Sequence, residues 1–243
     1  MGPSDGIDTG SAQAPAPGSG RLPVVFIGHG NPMYAIVPNR YADTWAVLGV
    51  ELPRPRAVLS VSAHWYVSGL AVTAMERPRT IHDFGGFPRE LFEVAYPAPG
   101  DPGLADRVRS MLAPFDVAAD VSWGLDHGTW SVLRHLYPEA DVPVVQLSID
   151  GRREPAYHAE MGRRLAPLRD EGVLILGSGN VVHNLQMAQF GAHVQAFPWA
   201  ERFQADVRRR IDAGDDASLI DYPDLGEDAR LSVPTPDHYY PLL

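Results

Sequence analysis

The chain has 243 residues, 45% of them hydrophobic and 21% charged, enough to bury a substantial core in one large domain or two small ones. A net charge of −10 argues against nucleic acid as a partner, because no positive excess exists to displace counterions from phosphates. Cysteine is absent and all twenty basic residues are arginine, which excludes disulfides, thiolate nucleophiles, iron–sulfur clusters, Cys-containing zinc sites, Schiff-base lysines and Walker-type phosphate lysines. Any metal must therefore be held by His, Asp or Glu, which suits iron, zinc or manganese. No apolar run approaches a membrane span, and the N-terminus lacks the basic start and apolar core of a signal peptide, so the expected location is cytoplasmic.

Residues 1–20 are rich in Gly, Ser, Pro and Ala without apolar periodicity and read as a disordered leader, with order expected from Pro23. Val24–Ile27 is a short apolar run ending in Gly28, and Tyr41, Trp45 and Leu48 recur at helical spacing. Ala57–Val61 is a second buried run, and Leu70–Met75 reads as a third. Leu104, Val108, Met111 and Leu112 mark an amphipathic helix opened by Asp101-Pro102, with proline in the first turn. Trp130, Leu133 and Tyr137 suggest another helix, followed by a strand over Val142–Ile149. Pro155 opens a helix through Tyr157, Met161 and Leu165; Gly172–Leu176 is the last clear strand; a polar helix follows around Trp199–Ile211. The alternation predicts one α/β domain over residues 21–243, a central mixed sheet with helices on both faces.

Five of the nine histidines stand beside strand ends, glycines or prolines: His29, His64, His127, His183 and His238. A histidine just past an apolar run lies at the rim of a sheet, where α/β folds build their sites, and histidine is the commonest metal ligand. His29 sits between two glycines in Gly28-His29-Gly30-Asn31-Pro32, which favours a ligand over an idle turn residue. His64 ends the second apolar run and competes with a core histidine satisfied by a carbonyl. His183 follows Gly177-Ser178-Gly179-Asn180, whose glycines are expected to shape a loop that brings it into the site. Val182 at the third glycine position weakens a dinucleotide reading, and the run is not a nucleophile elbow. Asp126 either orients His127 or caps a helix, and His238 in its proline-rich segment means little alone. Asp83-Phe84-Gly85 spells the kinase magnesium motif, a match rejected because there is no lysine and no glycine-rich loop. His82, His135, His158 and His193 read as structural or surface residues.

The segments FIGHGNP (Phe26–Pro32), SVSAHW (Ser60–Trp65), IHDFGGFPRELFEVAYPAP (Ile81–Pro99), WGLDHGTW (Trp123–Trp130), GSGNVVHNL (Gly177–Leu185) and PTPDHYYPL (Pro234–Leu242) carry a resemblance. The chain resembles the 4,5-DOPA dioxygenase extradiol family, within the class III, protocatechuate 4,5-dioxygenase-like, ring-cleavage enzymes. The resemblance implies a mixed sheet flanked by helices and one divalent metal ion per chain, Fe(II) or Zn(II). It implies that His29 and His64 bind the metal, that His183 and His238 act as further ligands or acid/base groups, and that His127 faces the substrate. Members of the family usually run on past the segment matching Pro234–Leu243 into a further strand. The expectation here is thus a chain lacking that strand, with the sheet exposed or the His238 loop loosened.

The expected reaction is extradiol cleavage of a DOPA-like catechol by dioxygen, with His183 or His127 removing a catechol proton and returning it later. An all-histidine site also suits a zinc hydrolase, in which a metal-bound water is the nucleophile, or a metal-binding protein of this fold without turnover.

Overall fold

The sheet forms where apolar residues alternate between its two faces. In the computed structural model, which describes residues 20–189 and 195–243, the chain runs through β1 (Val24–Gly28), α1 (Arg40–Glu51), β2 (Ala57–Val67), β3 (Leu70–Thr73), α2 (Arg89–Phe92), α3 (Pro102–Met111), β4 (Val117–Asp120) and α4 (His127–Leu136). It continues through β5 (Val144–Asp150), α5 (Pro155–Leu165), β6 (Val173–Gly179), α6 (Pro198–Ala213), α7 (Asp216–Ile220) and α8 (Glu227–Ser232). The leader expected over residues 1–20 lies, but for Gly20, outside the described residues, as does His193.

The strands form one six-stranded sheet in the order β1-β6-β2-β5-β3-β4. The pairs β1–β6, β6–β2, β2–β5 and β3–β4 are parallel, and β3–β5 is antiparallel, which makes the sheet mixed. Successive residues of a strand point to opposite faces. Val58, Val144, Leu174 and Leu176 accordingly pack with Trp45 of α1 and Trp130 and Leu133 of α4. Ala57, Leu59, Val145, Leu147 and Val173 pack with Leu104 and Val108 of α3 and Met161 and Leu165 of α5. Helices thus cover both faces of a single domain, as expected. A third cluster gathers Phe203 and Val207 of α6, Leu219 of α7, Ala229 of α8 and the C-terminal Tyr239 and Tyr240 against Ile149 of β5.

Several local expectations are corrected. Leu22, one residue before the expected start at Pro23, is already fixed: it is buried, its N–H donates to the Arg169 carbonyl, and Arg169 donates back to its carbonyl. β2 does not end at His64 but runs to Val67. Its pairing with β5 breaks between Val61 and Tyr66, a bulge of the kind that re-aims side chains near active sites. α4 starts at His127, because Asp126 accepts the Thr129 N–H and caps it. β4 was not foreseen; it is a four-residue edge strand whose Ala118 and Ala119 are exposed, so no apolar alternation marks it. The short α2, α7 and α8 also lacked a periodic signal.

The expected loop at Gly177-Ser178-Gly179 is instead the end of β6. A Cβ at Gly179 would strike the His238 carbonyl, and one at Gly177 the Pro241 carbonyl. These glycines therefore let the C-terminal segment lie against the strand. They serve His238 rather than His183.

Candidate metal centre

β1, β6 and β2 are parallel neighbours, so their carboxyl ends open on one edge, the place where α/β sheets build sites. His29 leaves the end of β1, with its N–H on the Gly179 carbonyl at 3.1 Å, and Gly30 then turns the chain through φ of +61°, a left-handed conformation that favours glycine. His64 stands in the bulge of β2. His127 opens α4, and His183 and His238 come from the segments that follow β6 and α8.

All five histidines line one cleft of about 570 Å³, together with Asp83, Phe84, Phe87, Asn180 and Val182. A second cleft of about 390 Å³, bounded by Phe26, Tyr41 and Gln204, shares Gly30, Tyr34, Asn180 and Val182 with it. Phe84 stands edge-on to Phe87 and to the His127 ring, giving the cleft an aromatic wall.

His29, His64 and His238 each offer one nitrogen, and these nitrogens lie within 4.8 Å of one another. The Nε2 atoms of His29 and His64 are 3.1 Å apart. Two nitrogens bound to one ion at ~2.1 Å each stand ~3.0–3.4 Å apart at the usual coordination angles. The Nδ1 atoms agree with that reading. Ser178 donates its hydroxyl hydrogen to the Gly128 carbonyl at 2.5 Å, so it accepts from His29 Nδ1–H at 3.0 Å. His64 Nδ1 faces Asp83 Oδ2 at 3.3 Å, and His238 Nδ1 faces the Asp237 carboxylate. Nδ1 is hydrogen-bonded in His29 and His238 and faces a carboxylate in His64, which favours a lone pair on Nε2 for a metal, the outer-shell pattern common to histidine-bound metals. The three residues fit a divalent ion.

His183, expected as a further ligand or an acid/base group, falls in a neighbouring group that shares His238. Its ring stacks on His238 at 3.3 Å between centroids, 12° from parallel, and its nitrogen groups with Asp237 and His238. His127 lies 3.8 Å from His64 between ring centroids, and its ring and backbone nitrogens both donate to Asp83.

Burial, then the neighbouring histidines, hold His29 well below its ordinary pKa. Burial and His127 lower His64 to about 3, against the opposing pull of Asp83, and burial and then His238 lower His183 to about 4. All three are neutral at pH 7, with a lone pair to offer a metal. Burial pushes Asp83 up, but the hydrogen bonds and charge of His127 and the charge of His64 outweigh it and bring the carboxylate below its usual range. Asp237 is likewise held well below that range, its burial overcome by the hydrogen bond to His238.

Beneath the cleft lies a buried polar network. Ser62 donates to Asp126 at 2.7 Å, Gln146 donates to the same carboxylate, and Ser60 and Thr129 share a hydroxyl hydrogen bond of 2.8 Å. Asp126 serves the fold as a cap and is not hydrogen-bonded to the His127 ring, so the capping alternative holds. Burial, then the Asp83 charge, pushes it up to about 6 against the hydrogen bonds from Ser62 and Gln146.

Sequence reasoning missed Asp83, whose motif was dismissed with its kinase reading, and the partners Ser178 and Asp237. Asp83 meets His127 across 44 residues of chain, so no local pattern reveals the contact. Its one signal was its place in the matching segment Ile81–Pro99. Of the histidines set aside, His135 bonds the Tyr34 carbonyl, His158 packs on Tyr240, and His82 bonds the Val94 carbonyl.

Residues 39–228 match the family described as the catalytic LigB subunit of aromatic ring-opening dioxygenase. The chain belongs to this family. It is 50% identical to a 4,5-DOPA dioxygenase extradiol of Escherichia coli (strain K12) over 229 residues, 93% of this chain and 84% of that protein. It is 38% identical to a protein of the same description from Beta vulgaris, over 89% of this chain and 83% of the relative. The crystal structure of an uncharacterized protein from Escherichia coli K12 superposes with a TM-score of 0.79 at 45% identity, covering 91% of this chain and 86% of that one. This chain is therefore an extradiol ring-cleavage dioxygenase, a metal-dependent enzyme acting on a small aromatic substrate and dioxygen. Membership does not favour the hydrolase or the non-catalytic reading. Among the described residues no helix is long and apolar enough to cross a membrane.

Proposed function

We propose that residues 21–243 act as one catalytic unit that opens a DOPA-like catechol, with His29, His64 and His238 holding one divalent ion per chain and His127 and His183 moving protons. The observation that carries this reading is the convergence of three histidines, two with hydrogen-bonded Nδ1 atoms and the third with Nδ1 facing Asp83, beside two more on the walls of the same cleft. Ferrous iron is the working ion; zinc suits the same nitrogens but has no redox chemistry. When bound, the ion supplies a Lewis-acidic, redox-capable centre with open coordination positions.

The residues of the chain do the rest. Phe84 and Phe87 offer an apolar wall to the aromatic ring, and the cleft has the size of an ordinary small-ligand site. His183, neutral at pH 7, accepts a proton from a catechol hydroxyl and returns it to the opened product; His127 hydrogen-bonds the second oxygen from the opposite wall. His183 thus serves in proton transfer rather than as a fourth ligand. DOPA is the first candidate substrate because relatives from bacteria and plants carry it in their names. The acidic charge and the lack of an apolar run support a cytoplasmic enzyme with no nucleic-acid partner.

The test is oxygen uptake by protein reconstituted anaerobically with ferrous iron, against a panel of catechols that includes DOPA. Stoichiometric uptake with a new yellow chromophore is expected. No uptake by folded, iron-loaded protein would overturn the assignment.

A further inference from the structure

Asp83 faces two of the clustered histidines, His127 and His64. Its Oδ1 accepts the His127 backbone N–H at 2.8 Å, and its Oδ2 lies 2.9 Å from His127 Nδ1 and 3.3 Å from His64 Nδ1. The contacts are sheltered: the Asp83 side chain is 16% exposed and that of His127 5%. Phe84, the next residue, sets its ring edge-on to the His127 imidazole at 5.4 Å and 81°. The same short segment therefore holds His127 by its backbone, its ring nitrogen and its ring face. A cap for α4 does not explain this, because Asp126 already caps that helix through the Thr129 N–H. Asp83 instead sits at the positive end of the ten-residue α4, where a helix favours a carboxylate.

We propose that Asp83 is a positioning residue of the proposed chemistry: its carboxylate holds His127 in the Nδ1–H tautomer and leaves Nε2 as the nitrogen that meets the substrate. The inference rests on the reading that His127 works on a bound catechol. A carboxylate accepts only, so the hydrogen on Nδ1 is obligatory while the aspartate is ionised. The same Oδ2 steers His64 to present Nε2 toward His29. Asp83 thereby ties the orientation of one expected ligand to that of the group facing the substrate.

Asp83→Asn makes the sharpest test because it nearly keeps the shape. The His127 backbone N–H requires the amide oxygen, so the NH2 group must face Nδ1 and force the hydrogen onto Nε2. Imidazole ¹⁵N NMR of the zinc-loaded protein reads the tautomer without turnover. The wild type is expected to show His127 as Nδ1–H and Asp83→Asn as Nε2–H. In the iron-loaded enzyme kcat should fall roughly 10²-fold, the scale of one proton-transfer group, with KM within about threefold and full metal at saturating ion. Asp83→Glu, which restores a carboxylate, should recover the Nδ1–H signal and part of kcat; it carries the test if the Asn variant does not fold.

An unchanged tautomer in Asp83→Asn overturns the proposal, as does unchanged kcat. Loss of the ion at saturating metal also overturns it, since Asp83 would then be a metal-holding group, as its grouping with His64 and His127 within 4.8 Å allows. A wild-type enzyme with the expected tautomer but no turnover on any catechol would sink the functional reading while leaving the tautomer assignment standing.

Discussion

The cleft has two walls, built in different ways. On one, His29 and His64 grow from the sheet itself: the first from the end of β1, the second from the bulge of β2, with partners Ser178 and Asp83 fixed by β6 and the turn of α4. On the other, His238 belongs to no strand or helix. Its position comes from Asp237 beside it, from its carbonyl accepting the Asn180 N–H at 2.9 Å, and from the absence of side chains at Gly177 and Gly179. His238 is 6% exposed, and Tyr239 is buried and donates its hydroxyl hydrogen to the Leu219 carbonyl. One wall gets its precision from strand pairing and the other from close backbone contact. The second is the easier to break without unfolding the protein.

Removing a nitrogen should have the largest effect. His64→Ala or His29→Ala should empty the proposed centre and abolish turnover, with metal analysis of the folded variants as the check; full occupancy in either would remove that residue from the ligand set. Next comes the glycine wall. Gly179→Ala sets a methyl group against the His238 carbonyl and should displace the C-terminal segment, costing about 1–3 kcal/mol of stability and most of the metal affinity. If its ion affinity matches the wild type, the close approach does not hold His238 in place.

Ser178→Ala probes the sheet-borne wall more gently. It removes the acceptor from His29 Nδ1 but leaves the ligand atom, so metal affinity should drop roughly 10- to 100-fold, measured by competition with a chelator. An unchanged constant would mean that His29 is oriented by its backbone alone.

The last effect lies under the cleft and is expected in stability rather than in turnover. Asp126 is raised in the fold from 3.8 to about 6, so folding disfavours its ionised form. The stability it contributes is fully present below about pH 4 and is lost as pH rises through 6, a change of at most about 3 kcal/mol. Denaturant titration of the wild type and Asp126→Asn should therefore show the wild type gaining relative to the variant between pH 7 and pH 4. A constant gap would show that Ser62, Gln146 and the helix terminus fully compensate the buried charge.

What the sequence determined by itself was local. Short apolar runs marked the central strands, Asp101-Pro102 and Pro155 opened helices where expected, and nearby strand ends, glycines or prolines singled out the five histidines that line the cleft. Periodicity, caps and turns are decided within a few neighbouring residues, so they can be read in a short window. Only the tertiary structure decided which histidine nitrogens converge and which stand beside that group. Ser178 reaches His29 across 149 residues, and the strand order β1-β6-β2 sets that meeting. The same folding gave Asp83 its two histidines and turned an apparent glycine loop into a strand that seats His238. Such contacts depend on sheet register and close packing, which arise only when distant segments are brought together.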